Sequence, residues 1–254
     1  MGKLIKYEIR KQRASRMVIF VALAAALIMF WGGLLFENDM MMAISILAMT
    51  FGAFLVLFYT GIESILVLNR DLRTKQSYML WMLPKSSWEI LGAKFISAIL
   101  QMLIVFGVCG LAVGVSTALA VWKVAGFEKL AMAVKEFSWL FVEGGLKWTD
   151  LALLALVLFL CWSLVIMVGF LAVIISRTLL VKSRFAGFLA VVLFFIINIV
   201  IEQLYAAINR FPGFDSLSGI GVTGWSIVDT IYYIIVAAAV FGLSGLLAEK
   251  KLSV

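Results

Sequence analysis

Three acidic residues lie within or beside long apolar runs, and they are the first candidates for chemistry in this sequence: Glu63, Glu202 and Asp229. A carboxylate inside a membrane is costly unless it reaches the interface or finds a partner. Glu63 can snorkel or pair with a nearby arginine, and a gate or cavity contact is the functional alternative for Glu63 and Glu202. The three acids are scattered, whereas a proton-coupled carrier usually places a carboxylate deep in the bilayer.

The chain contains no histidine and two cysteines, Cys109 and Cys161. Without histidine, HExxH metalloproteases, Ser-His-Asp triads and histidine-ligated haem are excluded within this chain. Both cysteines lie in apolar runs, where small buried thiols are expected rather than a disulfide or a metal site. No Walker A sequence is present, so the chain has no P-loop for ATP. We therefore predict a protein that is not an enzyme and holds no cofactor or metal.

The composition predicts an integral membrane protein. Of the 254 residues, 65% are hydrophobic and 14% are charged, and a soluble domain of this size could not bury so much apolar surface. The formal charge of +7 is clustered, which indicates membrane topology rather than nucleic-acid binding. The apolar runs predict one all-α domain over 1–254 with six transmembrane helices, at about 17–36, 46–68, 95–122, 151–175, 185–204 and 225–248.

The distribution of charge predicts the orientation. With the N-terminus inside, most lysine and arginine residues fall on the cytoplasmic side, so both termini are expected there. Residues 1–16 are basic with an apolar side and predict an amphipathic interfacial helix. Residues 123–150 form a polar loop with apolar residues at helical spacing, which predicts an extracellular amphipathic helix. In the third span Gly110 and Gly114 form a GxxxG, which permits close helix packing.

The stretch 69–94, NRDLRTKQSYMLWMLPKSSWEILGAK, lies between the second and third predicted spans. It is too polar to cross a bilayer. Its central piece, 78–83, is apolar and stops at Pro84, which predicts a short helix with an apolar face. Ser86 and Glu89 fit a capping box, so a second helix is expected to start there. The stretch is predicted to form two short helices on the cytoplasmic side, shaped to press against a partner.

The order of a basic amphipathic N-terminus, two spans, a cytoplasmic helix-proline-helix segment and four further spans resembles the permease subunits of ABC-2 type ABC transporters. The segment itself carries the motif: a charged start, an apolar helix, Leu-Pro followed by Lys-Ser, and Gly-Ala-Lys at the start of the third span. The resemblance implies that 69–94, called here the coupling segment, contains the coupling helix that docks into a cleft of a separate ATP-hydrolysing subunit. The docking residues that it implies are Arg70, Asp71, Tyr78, Met79, Met82, Leu83, Pro84, Lys85, Ser86 and Lys94.

The same resemblance implies the partners. ATP and magnesium would be held by the ATP-binding cassette ATPase subunits, and a second permease subunit would complete a homodimer or a heterodimer. The irregular segment 205–223 would correspond to the segment between the last two spans of the family. The protein would then be a multi-pass exporter in the cell membrane, of bacterial type, with a peptide, a drug or an amphipathic molecule as cargo, antimicrobial peptides among them. Membrane lipid is a further partner, and nucleic acid is not.

Two other classes of function remain open from the sequence. One is a stand-alone membrane immunity or binding protein that sequesters a peptide without ATP, and it predicts no stable ATPase partner. The other is an ion-coupled carrier, and it predicts gradient-dependent transport that is lost on substitution of Glu63. An intramembrane enzyme lacks the catalytic groups that it would need.

Overall fold

The structure is a computed structural model that describes residues 2–73, 86–142, 148–180, 185–209 and 227–252. Within these ranges every regular element is a helix. The helices, numbered in chain order, are α1 (Gly2–Lys11), α2 (Arg13–Leu35), α3 (Asp39–Arg73), α4 (Ser87–Val142), α5 (Trp148–Leu179), α6 (Ala186–Asn209) and α7 (Ile227–Leu252).

Six stretches of helix in the described ranges are long and apolar enough to cross a membrane: Arg13–Leu35, Asp39–Leu72, Ser87–Lys123, Ala155–Leu179, Ala186–Ile208 and Asp229–Lys250. The predicted all-α architecture with six spans is therefore confirmed. The first candidate span starts at Arg13 rather than near residue 17, since arginine side chains near a helix end can reach the membrane interface. The cytoplasmic location of the termini stays a prediction.

Two segments predicted to lie outside the spans are also helical. α1 ends one residue before Gln12, whose φ of −90° and ψ of 11° separate it from α2. α4 continues past the third candidate span as far as Val142, with one interruption at Gly126, where φ is 80° and ψ is 166°. Glycine adopts this left-handed region without steric cost. A helix is thus present where one was predicted after residue 123, as far as Val142 and with a sharp turn at Gly126; its amphipathic, extracellular character stays a prediction.

The packed residues group into two compact units. The first unit consists of Met1–Ile5, Gly61–Ile96 and Trp148–Val254, and the second consists of Lys6–Thr60 and Ser97–Lys147. The single transmembrane domain predicted from the sequence stays a prediction. Each unit has its own apolar core.

α5 is the central helix of the first unit, and it packs against α6 and α7. Leu164, Val168 and Leu171 of α5 form a buried cluster with Ile201 of α6 and Val240 of α7. α5 is more deeply buried than the other candidate spans, as expected of a helix that is apolar on all sides.

The second unit is built around a tight hairpin of α2 and α3. A Cβ at Gly33 would lie 2.9 Å from the backbone nitrogen of Met42, so only glycine allows the two helices to approach so closely. Glu37 in the turn has a φ of 53°, and the Asn38 carboxamide oxygen accepts the N–H of Met41 at 3.1 Å to cap α3. Phe30, Met42 and Met49 fill the core of this hairpin.

Candidate functional site: the base of the coupling segment

The described part of the coupling segment consists of its two ends, residues 69–73 on α3 and 86–94 on α4. Arg70, Asp71, Ser86 and Lys94 lie on these ends, and Arg70 and Ser86 are exposed. The other predicted docking residues lie outside the described residues: Tyr78, Met79, Met82, Leu83, Pro84 and Lys85. The docking role of the whole set stays a prediction, and the ends show how the segment is held.

A buried ion pair joins the two ends of the segment. The Lys94 ammonium donates a hydrogen bond to the Asp71 carboxylate, and the side chains of Lys94 and Asp71 are only 4% and 10% exposed. Asp71 lies at the end of the second candidate span, and Lys94 lies two turns into the third. The pair therefore fixes the end of α3 against the beginning of α4, with residues 72–93 between them.

The burial of this ion pair determines how much it contributes to the stability of the fold. An exposed ion pair contributes little because water screens it. A buried pair is different, since removal of one partner leaves an uncompensated charge and costs about 3–5 kcal/mol. The pair is surrounded by packed residues, because Ile90, Leu91, Ala93 and Lys94 of α4 are each at most 4% exposed. The start of α4 is thus enclosed within the first unit.

A second polar contact ties the end of α3 to α5. The Asn69 side-chain oxygen accepts hydrogen bonds from Arg177 Nε at 2.9 Å and from Arg177 Nη2 at 2.6 Å. Both donors come from one planar guanidinium, so the contact fixes orientation as well as distance. A Cβ at Gly187, on the first turn of α6, would lie 4.0 Å from Asn69 Nδ2. The end of α3 therefore lies beside the end of α5 and the beginning of α6.

α3 and α5 also pack closely above this contact. A Cβ at Gly61 of α3 would lie 3.7 Å from the ring of Trp162, and a Cβ at Gly169 of α5 would overlap the side chain of Ile65. Ile65 thus occupies a notch that only glycine leaves open. Because both sequence numbers increase together along these contacts, α3 and α5 run in the same direction through the first unit.

Trp88 ties the other end of the segment to α7. The indole Nε1 donates a hydrogen bond to Glu249 Oε2 at 3.1 Å, and the ring meets Phe241 edge-on with centroids 5.8 Å apart. A Cβ at Gly245 would overlap the indole. Phe241, Gly245 and Glu249 lie one turn apart on one face of α7, so the indole lies along this face.

Ser86 begins α4 as the sequence predicts. Its hydroxyl oxygen accepts the backbone N–H of Glu89 at 3.3 Å, and its carbonyl accepts the N–H groups of Glu89 and Ile90. This is the N-cap contact of the predicted capping box, so the second helix of the coupling segment is confirmed. That helix is continuous with the third candidate span.

Glu63 and Glu202, the two acids predicted as gate residues, lie away from the contacts at the ends of the coupling segment. Glu63 is half-buried on α3, eight residues before Asp71, which is about 12 Å along a helix. Glu202 is exposed on α6, fifteen residues after Gly187, or about 22 Å along that helix. The third acid, Asp229, accepts a hydrogen bond from the Tyr205 hydroxyl at 2.6 Å. A gate role for Glu63 and Glu202 stays a prediction.

The residues that hold the segment, Asn69, Asp71, Trp88, Lys94, Arg177 and Glu249, are called here the coupling base. Sequence reasoning placed Asp71 and Lys94 in the candidate site without pairing them, and it did not include the other four. Asn69 and Arg177 are 108 positions apart, and Trp88 and Glu249 are 161 positions apart. The sequence signal was limited to polar residues at the predicted cytoplasmic ends of four spans.

The fold and the coupling base together define a multi-pass helical membrane protein in which one inter-span segment is anchored to helices that come much later in the chain. Residues 3–124 match the family model described as ABC-2 family transporter protein. The matched range contains α1 from its second residue, α2, α3, the coupling segment and the third candidate span, and it confirms the resemblance predicted from the sequence. Arg177 and Glu249 lie outside it. No curated protein and no solved structure matches the chain.

Proposed function

We propose that the chain is the membrane-spanning permease subunit of an ATP-driven exporter, with its coupling segment docked on a separate ATP-hydrolysing subunit. The match over residues 3–124 supports membrane transport as the function. The structural observation that carries the proposal is the coupling base, because a segment that receives force must be anchored at both ends to the helices that it moves. An ordinary loop between two spans needs no such anchors.

The proposed mechanism is the movement of helices as rigid bodies. Closure of the ATPase subunits displaces the coupling segment, and the Asp71–Lys94 pair makes α3 and α4 respond together. The Asn69–Arg177 contact passes the displacement to α5, and Trp88 passes it to α7. Packed helices change between discrete arrangements rather than deforming continuously, so a displacement at the segment can open or close a path between the spans.

The remaining parts of the transporter are proposed from the same family relationship. The ATPase subunits hold ATP and magnesium, and a second permease subunit completes the translocation path. The coupling segment and both termini lie on the cytoplasmic side of a cell membrane, where ATP is available. The proposed cargo is a peptide, a drug or another amphipathic molecule.

The first test is a pull-down from the native host. The tagged chain is extracted in mild detergent, and a co-purifying P-loop ATPase is identified by mass spectrometry. We expect that Leu83→Asp abolishes this capture. Leu35→Asp is the matched control, because Leu35 is 75% exposed and lies at the end of the first candidate span, outside the coupling segment. This variant should retain the ATPase. If the folded wild-type protein captures no ATPase, the exporter proposal fails and a stand-alone immunity or binding role takes its place.

A second test separates ATP-driven transport from ion-coupled transport. In reconstituted vesicles, Glu63→Gln should leave transport largely unchanged, and collapse of the ion gradients should have no effect while ATP is present. A loss of transport in both conditions would favour the carrier instead.

A further inference from the structure

Two cavities border the end of the third candidate span in the second unit. The first has a volume of about 260 Å³ and lies between α2 and α4, with walls made by Trp31, Leu34, Leu119, Trp122 and the stem of Lys123. The second has a volume of about 300 Å³, with walls made by Val115, Ala118, Leu119, Trp122 and Phe127. Because both cavities share Leu119 and Trp122, they adjoin each other at these two side chains.

The turn at Gly126 creates the second cavity. In a continuous helix Val115 and Phe127 would be about 18 Å apart along the axis, yet both contribute to the same cavity. The left-handed φ of 80° at Gly126 redirects the chain and brings Phe127 alongside the preceding turns. The walls of both cavities are apolar, which fits hydrocarbon rather than a polar ligand.

One charged pair lies at the rim of the first cavity. The Lys123 ammonium donates a hydrogen bond to the Leu34 carbonyl and lies 3.9 Å from Glu37 Oε1. The Glu37 side chain is 84% exposed and the Lys123 side chain is 32% exposed. An exposed ion pair of this length is weak. The charged groups of a ligand can therefore replace it by binding Lys123 and Glu37 separately.

The position of the rim matches the edge of a membrane. Lys123 is the last residue of the third candidate span, and Glu37 lies in the turn between the first and the second. Trp31 and Trp122 stand beside the charges, as tryptophan does at membrane–water interfaces. The charged groups therefore lie where lipid headgroups lie, and the cavities lie where acyl chains begin.

We propose that this region is a binding site for one diacyl phospholipid with a zwitterionic headgroup. Its two acyl chains occupy the two adjoining cavities that Trp122 lines, its phosphate binds Lys123, and its ammonium group lies beside Glu37. A headgroup with net negative charge would gain the lysine contact but be repelled by the carboxylate, so the rim favours the zwitterionic lipid. This site is independent of the coupling base and of the proposed function.

The test uses light-activated labelling in vesicles. The purified full-length chain is reconstituted into phosphatidylethanolamine and phosphatidylglycerol vesicles that contain a trace of either lipid with a diazirine on one acyl chain. After irradiation, labelled peptides are mapped by mass spectrometry. We expect the phosphatidylethanolamine probe to label residues near Trp31 and in 115–127 preferentially. Lys123→Gln should lower this labelling about tenfold, the effect of losing one charge-assisted contact.

Two variants make the outcome decisive. Lys6→Gln removes the charge of an exposed lysine on α1 and should leave the labelling unchanged. Glu37→Gln should shift the preference toward the phosphatidylglycerol probe, an effect that general damage to the fold would not produce. The proposal is overturned if both probes label the region equally in the wild-type protein, or if Lys123→Gln and Lys6→Gln have the same effect.

Discussion

Substitution of the buried ion pair in the coupling base gives the most direct test of how the segment is held. Three variants form a double-mutant cycle: Asp71→Leu, Lys94→Met and the combination of both. Each single change removes the ion pair and keeps the opposite charge in an enclosed position. The combined change replaces both charges with apolar side chains of comparable shape.

The magnitudes follow from burial. Because Lys94 and Asp71 are 4% and 10% exposed, the value for buried pairs applies, and each single variant should lose about 3–5 kcal/mol of unfolding free energy. The combined variant should lie within about 1 kcal/mol of the wild-type protein or exceed its stability, since apolar replacement of a buried pair is often neutral or stabilising. The cost of the two single changes is therefore not additive.

Unfolding of the purified chain by sodium dodecyl sulfate, added to mild-detergent micelles and followed by tryptophan fluorescence, measures these differences. Lys6→Gln serves as a control for the loss of an exposed charge and should change the free energy by less than about 0.5 kcal/mol. If either single variant behaves like this control, the pair is solvated and does not fix α3 against α4. If the combined variant is as unstable as the sum of the single variants, the two residues act separately.

Three further predictions concern the other anchors, and the same unfolding assay measures each of them. Gly245→Ala should destabilise the chain by about 1–3 kcal/mol, because the new Cβ overlaps the Trp88 ring. Gly242→Ala, with open space at its Cβ, should be neutral or stabilising by up to about 1 kcal/mol. Equal effects at Gly242 and Gly245 would contradict the close packing of Trp88 on Gly245. Arg177→Gln should cost about 1.5–3 kcal/mol through the lost contacts to Asn69, and Arg177→Lys should restore only part of it because lysine cannot donate two fixed bonds. Trp88→Phe keeps one aromatic ring and loses the hydrogen bond to Glu249, so it should cost about 1 kcal/mol or somewhat more, and a cost as large as that of Trp88→Ala would show that the packing of the remaining ring contributes little.

The architecture was predictable because each span carries its own signal. An apolar run long enough to cross a bilayer is local in sequence, so six spans follow without knowledge of their neighbours. The N-cap at Ser86 was predictable for the same reason, since the hydroxyl and the N–H that it accepts are three residues apart.

The pairing of residues across the fold was not predictable. Nothing in the sequence relates Trp88 to Glu249, because their contact depends on how α4 and α7 pack. The glycines likewise show that close contacts between helices could not be predicted from the sequence. Gly110 and Gly114 have the spacing of a packing motif, yet a Cβ at either position would meet no atom within 4 Å in the described part of the chain. Gly169 and Gly245 lie outside any such motif and accept Ile65 and Trp88.

The arrangement of the anchors explains why a short segment can control several spans under the proposed mechanism. The ion pair joins α3 to α4, which are neighbours in sequence. A well-packed apolar contact could hold these two helices together in the same way. The contacts of Asn69 with Arg177 and of Trp88 with Glu249 reach helices that a hinge between α3 and α4 would not move. If these two contacts transmit the displacement, then Arg177→Gln and Trp88→Phe should weaken transport while the ATPase still binds. Leu83→Asp, by contrast, should prevent binding. A loss of ATPase binding in all three variants would show instead that the anchors only shape the docking surface.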